Sequence, residues 1–355
     1  MIVHLITNLG MGGAERMLLD LVQGLQKNYS QQTVVYFYDG VIRQELEKAG
    51  IRCIAINYKI HRFDIFFIGN LFKTLRTLKP QVLISSLWAA NFFGRIYGTL
   101  YSIPYCGILH AQPDHEGKIR NYIDRISMCL AQKMVTVSPT ITQTVIKKKW
   151  LPADRVVTII NGISVSKKKV SLHVKKPSCV LTIGAVGRLV PVKNFSLLIT
   201  VFAKIHQNYQ HTRLIIIGSG PEEQSLRALI KQYSIEPCVD IIIGVRAEDY
   251  YDQFDIFVQP SFSEGLSRAL LEAMSYSLPV IVSAHKKNHD VITHNKTGIL
   301  IDPHNPEDLF NALIKLIGDQ ELRIRLQHAG RHHIKKHYTL STMISHYRHI
   351  ITALS

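Results

Sequence analysis

Two glutamates carry the sharpest chemical signal in this chain of 355 residues. They are Glu264 and Glu272, in the stretch Pro260-Ser261-Phe262-Ser263-Glu264-Gly265-Leu266-Ser267-Arg268-Ala269-Leu270-Leu271-Glu272-Ala273-Met274. A strand is expected to end at Gln259-Pro260, a loop to present Glu264, and a helix to open near Ser267. At about 1.5 Å per residue, a continuous helix would set the two carboxylates about 12 Å apart. That is too far to share a proton, but it suits the two polar ends of one elongated ligand. The helix N-terminus between them offers unpaired N–H groups and partial positive charge, where a phosphate can sit. Glu272 is flanked by Leu270, Leu271, Ala273 and Met274. A carboxylate on such an apolar face needs a partner or a ligand.

A second candidate lies at the start of the chain, where an apolar strand runs into Asn8-Leu9-Gly10-Met11-Gly12-Gly13-Ala14-Glu15. Glycines before a helix let backbone N–H groups approach an anion. The spacing is neither GxGxxG nor a Walker motif. No Asp-x-Asp pair and no His/Cys cluster of zinc type appears, so no metal site is expected. The five cysteines (Cys53, Cys106, Cys129, Cys179, Cys238) are scattered and odd in number, which suits reduced core thiols in a cytoplasmic protein. The N-terminus lacks the charged region and cleavage site of a signal peptide. No apolar run reaches the roughly 18–20 residues that span a bilayer.

The elements that must position these residues alternate. Strands are expected over 2–7, 33–38, 53–56, 82–85, 105–109, 134–137 and 156–160, with helices over 15–25, 44–49, 65–78 and 119–131. Residues 164–178 hold five lysines, a proline and no period, and read as a linker. The rhythm restarts with strands over 181–186, 213–217, 239–243, 256–259, 280–282 and 298–301, and helices over 195–208, 222–233, 267–274 and 306–317. Such alternation argues for parallel strands with crossover helices. The expected domains are therefore 1–163 and 179–338, two doubly wound units facing a cleft beyond the carboxyl ends of their strands. A last amphipathic helix, 339–355, is expected to pack back on the first. The charge is lopsided, 42 Lys+Arg against 26 Asp+Glu for a net +16, and such a field attracts phosphates.

The Glu-x7-Glu stretch resembles the signature of the family 4 retaining glycosyltransferases, glycosyl transferases group 1, which have the two-Rossmann-domain GT-B fold. The same family pattern is matched by Gly187-Arg188-Leu189-Val190-Pro191-Val192-Lys193-Asn194, Ile217-Gly218-Ser219-Gly220-Pro221, Leu278-Pro279-Val280, Asn295-Lys296-Thr297-Gly298, Asn161-Gly162-Ile163 and Gly12-Gly13-Ala14-Glu15, in the family's order. The resemblance implies that Arg188 and Lys193 grip a donor diphosphate and that Glu264 touches the donor sugar near the reacting carbon. Glu272 would hold both ribose hydroxyls, and Gly265, Leu266 and Ser267 would line the sugar or β-phosphate. Val245 and Arg246 would hold the base, with Gly218 in the donor site. In the first domain, His110, Gly12 and Gly13 would face the transferred sugar. The sequence departs from the pattern at Ser267-Arg268, usually Pro-Asn, and at His285-Lys286-Lys287-Asn288-His289-Asp290, usually Gly-rich and ending in Glu.

The resemblance implies a hexosyltransferase that takes a nucleotide-diphosphate sugar and needs neither metal nor cofactor. UDP-sugar is the expected donor and GDP-mannose stays open. The expected acceptor is a glycan or lipid-linked glycan of surface polysaccharide or lipopolysaccharide, reached with the anomeric configuration retained. A UDP-sugar epimerase on the same scaffold and a non-catalytic nucleotide-sugar-binding subunit are the alternatives. Residues 63–79 are rich in Phe, Leu and Ile and carry Lys73, Arg76 and Lys79, so peripheral contact with an anionic membrane is expected there or at Lys147-Lys148-Lys149-Trp150. No nucleic-acid-binding pattern is present.

Overall fold

The computed structural model describes residues 1–10, 12–56, 65–110, 117–165 and 180–354. They form two compact units, Met1–Gly162 with Leu340–Ser355, and Ile163–Thr339. Most of the stretch read as a linker lies outside the described residues.

The first unit runs β1 (Ile2–Asn8), α1 (Gly13–Leu25), β2 (Gln32–Tyr38), α2 (Ile42–Lys48), β3 (Arg52–Ala55), α3 (Ile65–Leu78), β4 (Val82–Ser86), α4 (Trp88–Leu100), β5 (Tyr105–Leu109), α5 (Lys118–Ser127), β6 (Lys133–Thr136), α6 (Pro139–Lys147) and β7 (Val156–Thr158). Its strands form one sheet in the order β3-β2-β1-β4-β5-β6-β7, and every pairing is parallel. β1 and β4 are central and buried on both faces, which is why they read as unbroken apolar runs rather than alternating ones.

The second unit runs β8 (Leu181–Val186), α7 (Phe195–Asn208), β9 (Thr212–Ile217), α8 (Glu223–Gln232), β10 (Val239–Ile242), β11 (Ile256–Gln259), α9 (Arg268–Ser275), β12 (Val280–Ser283), α10 (Lys286–His289), β13 (Ile299–Ile301), α11 (Pro306–Gly318) and α12 (Gln320–His337). Its parallel sheet has the order β10-β9-β8-β11-β12-β13. Both orders reverse direction at a central strand, β1 in one sheet and β8 in the other, as in Rossmann-like sheets. The last helix, α13 (Leu340–Leu354), belongs to the first unit. There Met343, Ile344, Tyr347 and Ile351 join the core with Leu21 and Leu25. Gly24 makes this seam possible, since a Cβ at that position would lie 2.4 Å from Ile344 Cδ1.

Four helices escape the sequence reading: α4, α6, α10 and α12. In α4 the cause is visible. Gly94 and Gly98 weaken a helical pattern, yet both are packing choices, because a Cβ on either would press within 3 Å of the Tyr105 side chain on β5. The apolar surplus of α3 is largely consumed by the core, which takes Phe67, Leu71, Leu75 and Leu78. Of its described large apolar side chains, Phe66 remains exposed. Helix α3 is thus a crossover helix whose apolar face the core takes up, and Phe63 lies outside the described residues.

Candidate functional site

In the second unit, β8, β11 and β12 are consecutive in the sheet, so the loops that leave their carboxyl ends are neighbours. The loop after β8 makes a tight turn through Pro191–Lys193 and ends at Asn194 in the left-handed region, φ 56°. Asn194 is well suited to that conformation, because its short amide tolerates it and bonds locally. Here the Nδ2 donates to the carbonyls of Pro260 at 3.3 Å and Pro303 at 3.1 Å. The Phe262 N–H donates to Val192 O at 2.8 Å. These bonds fasten the loop that carries Arg188 and Lys193 to the loop that carries Glu264.

Lys193 Nζ and Glu264 Oε1 form an ion pair, and both side chains are largely buried. Ser261, itself buried, donates its hydroxyl to the same Oε1 at 2.9 Å. The β12 loop contributes two more basic groups. Burial pushes the His285 imidazole and the Lys287 ammonium below their usual values, while the Glu264 carboxylate pulls both back up. Asn288 holds this turn by donating to Ser283 O at 2.9 Å. Glu264 therefore sits among three basic side chains from two loops. Arg188 is exposed on the first of these loops, and among the described residues its guanidinium has no hydrogen-bond or ion-pair partner.

Glu272 lies on α9 and is 8% exposed. Its Oε1 accepts from Arg268 Nε at 2.6 Å and its Oε2 from the Tyr251 hydroxyl at 3.0 Å. Burial pushes this carboxyl up, and Arg268 pulls it back toward the charged form. Helix α9 starts only at Arg268, capped by Ser267, whose Oγ accepts from the Leu270 N–H at 3.3 Å. The all-helical spacing of the two glutamates is thus corrected, since Glu264 belongs to the preceding loop. Tyr251, Arg268 and Ser261 were absent from the sequence reading of these carboxylates. Arg268 had a signal available, the four-residue spacing to Glu272 that places both on one helix face. Tyr251 and Glu272 meet only through the fold.

The remaining candidates divide between contact and support. At Gly218 a Cβ would lie 1.8 Å from Gly187 O, so this glycine lets the β9 loop close on the β8 loop. Gly265 has open space around its Cα, and Leu266 is half-buried beside it. Val245 and Arg246 follow β10 and are exposed. The turn after them packs on α9, where Tyr276 donates to Glu248 O at 3.4 Å. In the first unit Gly12 is the N-cap of α1, and a Cβ there would strike the Glu15 carboxylate at 2.2 Å, whereas Gly13 faces open space. His110 follows β5, and its Nε2 is buried with no partner among the described residues. Burial lowers its pKa to about 4, so the ring is neutral near pH 7. Among the described residues no group of three or more His, Cys, Asp or Glu side chains could hold a metal ion, and no helix is long and apolar enough to cross a membrane.

Two family models match the chain in tandem. Glycosyltransferase Family 4 covers residues 11–167, and Glycosyl transferases group 1 covers residues 167–333. The chain is a group 1, family 4 glycosyltransferase of GT-B fold. Among its relatives, an uncharacterized glycosyltransferase of Haemophilus influenzae is 25% identical over 92% of this chain and 93% of its own. The lipopolysaccharide core biosynthesis glycosyltransferase LpsD of Rhizobium meliloti is 22% identical over 92% of this chain and 91% of its own. The crystal structure of HepE of Anabaena, solved in complex with UDP, superposes with a TM-score of 0.84 over 99% of both chains at 18% identity.

Proposed function

We propose that this glycosyltransferase moves a hexose from a UDP-sugar to a glycan on a lipid carrier, in the assembly of a surface polysaccharide or lipopolysaccharide, retaining the anomeric configuration and needing no metal. The observation that carries the reading is the pairing of Lys193 with Glu264, on the loop that also carries an exposed Arg188 without a side-chain partner among the described residues, within a unit that also buries Glu272. Arg188 and Lys193 are two cations on one short loop, suited to the charge that builds on a departing diphosphate. The N-terminus of α9 adds N–H donors and dipole. In this reading Lys193 exchanges the Glu264 oxygen for a phosphate oxygen when donor binds, which frees Glu264 to accept from the sugar hydroxyls. Glu272 keeps one lone-pair site on each oxygen for the ribose hydroxyls. His110, neutral near pH 7, and the Gly12-Gly13 turn are assigned to the transferred sugar, and Gly265, Leu266, Ser267, Val245 and Arg246 to the nucleotide sugar. The acceptor oxygen attacks on the face that the diphosphate leaves, and that diphosphate takes its proton. The protein's part is then to position groups and stabilise charge. LpsD, by its name a lipopolysaccharide core glycosyltransferase, and the UDP complex of HepE support the choice of pathway and nucleotide.

Screening nucleotide sugars for thermal stabilisation and slow hydrolysis tests this reading. UDP-sugars are expected to stabilise the chain and Glu264→Ala to lose turnover while keeping UDP affinity. Steady release of an epimer, or a Glu264→Ala protein that supports a partner enzyme unchanged, would overturn it in favour of an epimerase or a binding subunit.

A further inference from the structure

The turn after β12 holds a cation with no partner of its own. Asn288 is buried and fixes this turn from within, its Nδ2 donating to Ser283 O at 2.9 Å and lying 3.2 Å from His285 Nε2. An amide nitrogen carries two donors and nothing to accept with. The Ser283 carbonyl identifies this atom as the nitrogen, so His285 Nε2 is the acceptor and the imidazole is neutral. Burial, which holds the His285 pKa down, acts in the same sense. Of the two groups of this turn that Glu264 acts on, Lys287 therefore carries the charge. It is half-buried, and among the described residues its ammonium makes no hydrogen bond or ion pair. The acids whose charge reaches it are Glu264 and Asp290, and Asp290 is exposed.

The charges around Glu264 give this lysine a task. In this structure Lys193 pairs with Glu264. A nucleotide-sugar donor is negative on both phosphates, and Arg188 and Lys193 are the cations assigned to them. Once Lys193 moves across, Glu264 keeps the Ser261 hydroxyl and loses its cation. The Glu264 side chain is 13% exposed. A carboxylate so placed and left without a cation gives up its charge by taking a proton. The protonated acid accepts poorly from sugar hydroxyls, so the site needs a replacement charge at that moment. Lys287 is on the loop of the neighbouring strand, since β11 and β12 pair directly. Its flexible four-carbon stem can carry the ammonium across. A Cβ at Gly265 would meet nothing within 4 Å, so there is room beside Glu264 for the movement.

We infer that Lys287 is a positioning residue that takes over the Glu264 carboxylate when Lys193 leaves it for the donor diphosphate. The two lysines hand one carboxylate between them, and Glu264 stays ionised and oriented throughout. Lys287 touches neither donor nor acceptor and acts through Glu264. This exchange presupposes the donor site proposed above and extends it to the turn over 285–290, where the sequence departs from the family pattern.

UDP is titrated calorimetrically into the full-length protein, Lys287→Met, Lys287→Arg, Glu264→Gln and the Glu264→Gln, Lys287→Met pair, at neutral pH in buffers of different ionisation enthalpy. In Lys287→Met, UDP affinity is expected to fall about tenfold or more, because Lys193 can leave Glu264 only by stranding it. UDP binding by this variant should also take up a proton that the wild type does not. Lys287→Arg is expected to restore most of the affinity, and Lys287→Met should melt with the wild type. Glu264→Gln should bind UDP at least as well as the wild type, and adding Lys287→Met to it should change nothing further. Unchanged affinity in Lys287→Met, or equal proton uptake by the wild type, overturns the exchange. So does an affinity loss matched by an early melt, which marks a structural role. A loss that persists in the Glu264→Gln background overturns it as well, because Lys287 would then act on the phosphates directly. Failure of UDP to bind any of these proteins, with normal melting, overturns the UDP-donor reading instead.

Discussion

Glu272→Gln is the substitution that most sharply separates a ligand-binding carboxylate from a structural one. The side chain is buried and already partnered by Arg268 and Tyr251 at 2.6 and 3.0 Å, so its existing bonds alone are an adequate structural explanation. If stability were its whole purpose, the amide should cost little. The Arg268 side chain is 26% exposed, and a half-screened ion pair of that kind contributes about 1 kcal/mol. If Glu272 holds the ribose, two hydroxyl donors lose a charged acceptor, each such bond being worth about 1.5–3 kcal/mol. The amide keeps one carbonyl acceptor, so the expected net loss is about 2–3 kcal/mol, roughly 30- to 150-fold in Kd. Calorimetric titration of UDP and of 2′,3′-dideoxy-UDP against both proteins reads the effect as a cycle. The wild type should prefer UDP over the dideoxy form by that factor, and the variant should hardly distinguish them. A variant that still prefers UDP by the full factor, with unchanged affinity, would refute the ribose assignment.

Other outcomes follow from the same contacts. Asp124→Ala strands the wholly buried Arg95 and is expected to cost the first unit about 3–5 kcal/mol in urea unfolding, while Arg95→Met with Asp124→Leu should recover much of it. Burial lowers the His4 pKa from the usual 6.5 to about 4, against a hydrogen bond to Gln32 that raises it, and burial shifts His110 the same way. The unfolded chain therefore takes up these protons first. Stability should fall as pH drops from about 6.5 toward 4, by up to about 1.4 kcal/mol per pH unit for each histidine, and level off below. In His4→Leu the acid branch of stability against pH should lose one proton's worth of slope. Lys193→Met is expected to lower the rate of sugar transfer at least a hundredfold through lost charge stabilisation, and an unchanged rate would remove it from the diphosphate. Gly218→Ala places a methyl against Gly187 O and should weaken UDP binding by shifting the Arg188 loop, a change that thermal melts and titration would both register.

Much of the fold was legible because buried parallel strands and crossover helices write different periods. Helices α3 and α7 lie where their apolar spacing places them, and α9 starts next to Ser267, the residue expected to open it. Helix α4 was hidden because its glycines serve contact with Tyr105 rather than helix propensity. Helix α12 was hidden because histidines and arginines blur its apolar face. At the site, the glutamates and cations were legible as types at a spacing, but their partners were not. Tyr251 reaches Glu272, and His285 and Lys287 come under the influence of Glu264, only because β11 and β12 are neighbours and the turn after β10 packs on α9.

The most direct measurement is a crystal structure of the protein soaked with UDP in the presence of a chelator. The expected density has the diphosphate on Arg188 and Lys193 at the N-terminus of α9, Lys193 parted from Glu264, and both ribose hydroxyls on Glu272. Nucleotide density elsewhere on the chain, or occupancy that appears only when a divalent cation is restored, would contradict a metal-free grip at these residues.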